Sequence, residues 1–269
     1  MNWLQSMFYG AVSGMSEFLP ISSEAHRILL QQLFGVETPD VVLNFFVHIA
    51  ALFAVIVSCS GMIDKLRRTE RGTKRRNHNN RSRMDARLVK SATLPMLIAA
   101  AVVTYTLSDS ISLPLLSVLW IINGLIIFYA AHTLQGNKDA RLFSRLDSML
   151  LGIANGLSVI PGLSRVGLSI SYSTIRGGDR SHAVNWALIL SIPFLVLSCV
   201  IDIILLFSPV YQVAVTGNVL GYLLAGITAF IGSYFSILLL KFLTVNTGFG
   251  AFAYYAWGAS LFTFILYLL

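Results

Sequence analysis

The chain has 269 residues, of which 56% are hydrophobic and 12% charged, with a formal net charge of +7. A soluble domain carries about 25% charged residues, so this composition excludes an ordinary soluble protein and indicates an all-α integral membrane protein. Cys59 and Cys199, each inside an apolar run, exclude a disulfide scaffold or a cysteine metal site.

Residues 1–33 are apolar overall but interrupted by SEFLPISS, which carries Glu17, Pro20, Ser22 and Ser23. A cleavable signal peptide is not expected there, because Met1 to Phe18 lacks a basic start and contains Glu17. Pro20 ends one short helix, and Ser22 or Ser23 caps the next, SEAHRILLQQLF. Irregular backbone at membrane depth is tolerated only where protein buries it or water reaches it. The segment therefore reads as a re-entrant helical hairpin. Apolar runs long enough to span a bilayer follow at 41–63, 89–107 and 111–134. Between the first two lies a basic loop, 64–88; of the 19 Lys+Arg, 11 fall between Lys65 and Lys90. The positive-inside rule makes this loop cytoplasmic and suited to anionic lipid head groups; no nucleic-acid partner is expected. A linker, 135–146, with Lys138, Arg141 and Arg145, falls on the same side two crossings later. Residues 147–177 are interrupted again, at Pro161-Gly162, with Ser164 placed to cap RVGLSISYSTIR. Spans at 182–207, 219–243 and 252–269 complete the chain.

The two interruptions resemble one another. GAVSGMSEFLPISS (Gly10 to Ser23) and GIANGLSVIPGLSR (Gly152 to Arg165) share two spaced glycines, a serine, an apolar stretch, a proline and a further serine. Each precedes three spans, so the expected architecture is an inverted repeat, 1–134 and 147–269, each half a re-entrant hairpin plus three transmembrane helices. Transporters of this type build sites near the midplane from broken helices. The charge clusters alone also fit two full crossings; mid-segment proline and glycine favour hairpins. Both termini would lie outside a plasma membrane.

Each break should turn a helix N-terminus inward, and such ends attract phosphate. Arg165, within an apolar stretch, is costly at membrane depth and its fork suits a phosphate; a purely structural pair with Glu17 is the plainer reading. Glu17 and His26 flank the first break as an acid and an imidazole for proton transfer, although His26 also reads as an ordinary hydrogen-bonded helix histidine. Ser22 and Ser23 read equally as caps and as nucleophiles. His48 either lines the cavity or packs. Asp202 has no evident partner and is placed near the outer interface, while Arg27 is expected to snorkel. GAFAYYAWGASLF near the end reads as an interfacial aromatic belt. Nothing has zinc-site spacing, and there is no P-loop.

SEFLPISSEAH resembles the (T/S)-E-F-L-P-(V/I)-S-S-T-G-H signature of the undecaprenyl-pyrophosphate phosphatases, known also from bacitracin resistance. IPGLSRVGLSIS resembles that family's I-P-G-x-S-R-S-G-x-T-I-S, and the likeness continues through RSHAVNWALILSIP and LLLKFLTVNTGFGAFAYYAWG. The resemblance implies a membrane enzyme that takes the terminal phosphate from a polyprenyl diphosphate, recycling a lipid carrier of cell-wall biosynthesis. It implies catalytic roles for Glu17, Ser23, His26 and Arg165. Substrate contacts are implied at Ser13, Ser22, Glu24, His48, Gly162, Ser164 and Arg165. A divalent cation, Mg or Ca, is the one cofactor it brings in; a homodimer is left open. The chain departs from the family at Ser13, Asn44 and Asn185, where acidic residues are usual, at Val166 for a serine and at Ala256 for an arginine. Glu24 stands where the family has a small residue and is a candidate replacement for the carboxylate lost at Ser13. The alternative function is a polyprenyl-phosphate transporter or flippase on the same scaffold without hydrolysis; a broader lipid phosphatase is a third.

Overall fold

The computed structural model describes residues 1–36, 40–70, 79–106, 111–134, 136–207, 219–246 and 248–269. The described elements are helical, with one isolated bridge between Lys138 and Gly178. In chain order they are α1 (Trp3–Phe18), α2 (Ser23–Leu33), α3 (Val41–Ser58), α4 (Ser60–Glu70), α5 (Asn79–Thr106) and α6 (Leu113–His132), then α7 (Arg145–Gly156), α8 (Arg165–Ile175), α9 (Arg180–Leu206), α10 (Val219–Asn246) and α11 (Ala251–Leu268). A short 3-10 turn, Leu157–Val159, follows α7. Six of these helices are long and apolar enough to cross a membrane: α3, α6, α9, α10, α11 and the Arg83–Thr106 part of α5. Their outward faces carry exposed apolar side chains such as Phe53, Leu94, Leu125 and Phe235, as lipid rather than water would solvate.

Some boundaries differ from the expected ones for local reasons. The first span stops at Ser58 rather than Ile63, because Cys59 ends α3 as its C-cap and α4 starts anew at Ser60. The basic segment 64–88 is not a plain loop. Its described parts belong to α4 and to the start of α5, while residues 71–78 lie outside the described residues, as does Leu107 at the expected end of the second span. Residues 136–146 are tied to the start of α9. Lys138 N–H donates to Gly177 O and Asp179 N–H to Lys138 O, both at 3.0 Å, and Ala140 and Phe143 are buried.

The interrupted segments are cored by close helix approaches. Gly10 and Gly14 of α1 lie against the backbone of Ala225 and Ala229 in α10. Their counterparts in the later motif, Gly152 and Gly156 of α7, lie against Ala92 and the Met96–Ala100 turn of α5. A Cβ on any of the four would overlap backbone atoms or a neighbouring Ala side chain, so these glycines are what lets the backbones meet. Without a hydrophobic force between helices in lipid, such small-residue seams carry the packing. α3 packs on α9, and α6 on α11. The two breaks sit in one apolar core, where Phe18, Leu19 and Ile21 meet Val166 and Ile170 along with side chains of α3, α6 and α9.

Candidate active site

The first break follows from Leu19-Pro20-Ile21-Ser22. Ser22 adopts φ 64°, a conformation costly for a residue with a Cβ, and its hydroxyl caps α2 at Ala25 N. In the second break Gly162 has φ 97°, and a Cβ there would collide with Leu119, so glycine is required. Ser164 caps α8 at Gly167 N.

Each break is satisfied by the other. Gly162 N–H donates to Ser22 Oγ at 3.0 Å, and Ser164 Oγ donates to Leu19 O at 3.1 Å. From α6, Asn123 donates to Pro20 O at 3.2 Å and accepts from Ser164 N–H at 3.0 Å, while Trp120 donates to Ile21 O at 3.1 Å. Unpaired backbone groups at this depth would cost several kcal/mol each (about 2–7); here side chains pair with Leu19 O, Pro20 O, Ile21 O, Gly162 N–H and Ser164 N–H. Ser22 accepts two N–H bonds and so acts as a cap and a tie between the breaks.

Around this lattice opens a cavity of ≈ 620 Å³, bordered by both helix starts and by walls from α3, α5 and α9. Ser23, Glu24 and Arg165 line it and occupy the first turns of α2 and α8, whose leading N–H groups have no intrahelical acceptor. Glu17 Oε1 accepts from Arg165 Nη2 at 2.5 Å, with side chains only 4% and 5% exposed. The Arg165 guanidinium also lies 4.4 Å from the centre of the Phe194 ring, a cation–π contact. Glu17 Oε2 and Arg165 Nε are buried without a hydrogen-bond partner. The Glu17 carboxylate further lies in the electrostatic reach of Arg27 and His48, with the Ser23 hydroxyl close by.

A second polar group faces the same space. Arg27 pairs with Glu24 and donates from Nη1 to His48 Nε2 at 2.5 Å. Arginine cannot accept, so His48 Nδ1 carries the proton and donates to Asp202 Oδ2 at 2.6 Å. All four line the cavity. Sequence reasoning placed Arg27 in the interface by snorkelling; it is buried instead, 7% exposed, because Glu24 and His48 supply partners inside. Asp202 was set near the outer interface without a partner, and His48 is that partner. The spacing of Glu24 and Arg27, one helical turn apart, was the available signal; the His48–Asp202 contact joins distant parts of the chain and left none.

Of the expected site residues, the structure brings Glu17, Ser22, Ser23, Glu24, His48, Ser164 and Arg165 onto the cavity wall. Gly162 acts one layer behind, through Ser22. His26 is turned elsewhere. Its Nδ1–H donates to Ser22 O at 2.7 Å, and its Nε2 accepts from Tyr255 OH at 2.7 Å. Both ring nitrogens are engaged, and the ring is stacked on Tyr255 and edge-on to Trp120. Tyr255 lies in the stretch read as an aromatic belt. Ser13, one turn before Glu17, is buried behind the wall with an unpartnered hydroxyl. Asn44 lines the cavity and accepts from Tyr9 OH at 2.7 Å. Among the described residues no three His, Cys, Asp or Glu are grouped to hold a metal ion.

Residues 6–262 match the family model described as bacitracin resistance protein BacA. Relatives with that overall length include the undecaprenyl-diphosphatase of Carboxydothermus hydrogenoformans, 27% identical over 96% of this chain and 94% of its own. The undecaprenyl-diphosphatase of Treponema denticola is 30% identical over 95% of this chain and 94% of its own. That of Desulforudis audaxviator is 32% identical over 72% of this chain and 74% of its own.

Proposed function

The chain belongs to the bacitracin resistance protein BacA family, and from that premise we propose that it is a multi-pass membrane phosphatase converting undecaprenyl diphosphate to the monophosphate. The observation that carries this reading is the single cavity in which two capped helix starts and the buried Glu17–Arg165 pair meet. The relatives named above share the activity in their name.

The diphosphate would lie against the first-turn N–H groups of α2 and α8 and the Arg165 fork, with its polyprenyl tail along the apolar wall of Leu197, Ile201 and Leu205. Glu17 Oε2 is the free carboxylate atom placed to take a proton from Ser23 or from water. The oxygen so activated bonds to the terminal phosphorus in line, the anhydride P–O bond breaks, and the lipid monophosphate leaves; attack by water frees phosphate at once, whereas attack by Ser23 leaves a phosphoseryl ester that a water, deprotonated by the same carboxylate, then hydrolyses to phosphate and Ser23. Arg165 and the helix ends hold the developing charge on the phosphoryl oxygens. In this scheme His26 is a positioning residue that fixes the Ser22 carbonyl and with it the first break. A divalent cation, Mg or Ca, brought in with the phosphate oxygens of the substrate would be held on the protein's side by the Glu17 carboxylate. When bound it would supply charge to those oxygens.

For the architecture we favour the inverted repeat, with α1–α2 and α7–α8 as re-entrant hairpins. Its support is exchange: each broken segment packs through paired glycines on the second span of the other half, and each break caps the other. The basic segment would then be cytoplasmic and both termini outside the plasma membrane.

The test is phosphate release from undecaprenyl diphosphate by the purified chain in detergent, with and without chelator. Release that vanishes in Arg165→Ala supports the enzyme. Binding of the monophosphate with no release would support carriage of the lipid instead.

A further inference from the structure

The Glu17–Arg165 pair accounts for one arm of the cavity. The opposite arm, Glu24–Arg27–His48–Asp202, has no part in that chemistry, yet it is built to the same standard. Arg27 is a buried guanidinium within a cavity, with its Nε unpartnered. Burying such a charge is costly unless something is gained. Its two anchors differ in kind. His48 holds Nη1 from inside and is itself fixed by Asp202, whereas Glu24, its side chain 40% exposed, holds Nη2 from the open side. One partner is locked; the other is exchangeable.

Charge points the same way. Three carboxylates, Glu17, Glu24 and Asp202, face two guanidiniums across this cavity. A diphosphate entering it must displace a carboxylate from an arginine or bring its own cation. Glu17 is nearly sealed, so Glu24 is the carboxylate that can swing away. Its Oε2, on Arg27 Nη2, marks where a phosphate oxygen fits.

We propose that Arg27 is a second phosphate-binding arginine of the cavity, positioned by the His48–Asp202 pair, with Glu24 as the counter-ion that the incoming phosphate replaces. The proposal rests on the phosphatase reading for its substrate but not for its binding step. Arg165 serves the phosphorus under attack, and Arg27 grips the other end of the diphosphate. His48 and Asp202 act only through Arg27.

Two readouts on the full chain in detergent separate these claims: steady-state hydrolysis of undecaprenyl diphosphate, and the thermal shift given by inorganic pyrophosphate. Arg27→Met should raise KM at least tenfold with kcat within a few-fold, and should erase the pyrophosphate shift. Arg27→Lys, which keeps the charge but not the fork, should fall between. Asp202→Leu should raise KM and Asp202→Asn, whose carbonyl still accepts from His48 Nδ1–H, should restore most of it. Glu24→Gln should lower KM and enlarge the shift. A folded Arg27→Met or Arg27→Lys protein with wild-type KM and shift overturns the proposal, as does a Glu24→Gln protein that loses turnover with its shift unchanged. If the wild type releases no phosphate but its pyrophosphate shift depends on Arg27, the hydrolytic reading fails and the second arginine stands.

Discussion

Replacing Arg165 tests whether its pairing with Glu17 serves the fold, the chemistry or both. The two side chains are 5% and 4% exposed. Arg165→Met therefore leaves a buried carboxylate without its partner, a loss of about 3–5 kcal/mol when one member of a buried pair is removed. For a chain of this size about 2–4 °C of melting temperature goes with each kcal/mol, so a drop on the order of 10 °C is expected by thermal unfolding in detergent. Replacing both partners by neutral groups of similar shape is close to neutral, and Glu17→Gln/Arg165→Met should recover nearly all of that stability. Turnover should not recover. Loss of one preorganised donor to a transition-state oxyanion costs about 10²–10³ in kcat, and the double variant lacks the proton acceptor as well. Phosphate release from the two proteins, read beside their melting curves, decides the matter. A double variant that regains turnover to within about tenfold of wild type would show that the pair is structural and refute the reasoning.

Other consequences follow from the same contacts. Asn123→Leu strips Pro20 O and Ser164 N–H of their partner. It should destabilise the chain by about 1–3 kcal/mol for each orphaned group, read as lost melting temperature together with lost turnover. Gly10→Ala and Gly152→Ala should each cost about 1–3 kcal/mol by forcing helix backbones apart, whereas Gly61→Ala, with nothing within 4 Å of its added Cβ, should leave the melting curve unshifted or slightly raised. Burial acts to raise the Asp179 carboxyl, but bonds from His182 outweigh it and hold the group below the ordinary carboxylate value. Its stabilisation of the α9 start is therefore present above the unfolded value of about 3.9 and lost as pH falls through the lower folded value; Asp179→Asn, which keeps a capping oxygen, should flatten that acid limb.

Much of this arrangement is written locally. Pro20 and Pro161-Gly162 announce the breaks, Ser22 and Ser164 announce the caps, and both are readable because turn and cap chemistry depends on a few adjacent residues. The repeated glycine spacing of GAVSG and GIANG is local too, though its purpose, close approach to α10 and α5, shows only once the partners are in place. What escaped the sequence is non-local. His26 reads both as an acid–base group and as a hydrogen-bonded helix histidine, and the partner that engages its Nε2, Tyr255, comes from the far end of the chain. Arg27 looked like a surface cation because its anchoring His48 and Asp202 lie in other helices. The helix through the basic residues of α4 leaves no mark in their charge, because charge sets sidedness, not backbone conformation.

A structure of the full chain in a lipid nanodisc with a polyprenyl methylenediphosphonate, which cannot be hydrolysed, addresses the shared cavity directly. The diphosphonate should lie within hydrogen-bond reach of Arg165 and of first-turn N–H groups at the starts of both α2 and α8. A head group bound at only one of these helices, or on an outer face away from residues 17–24 and 161–165, would contradict it.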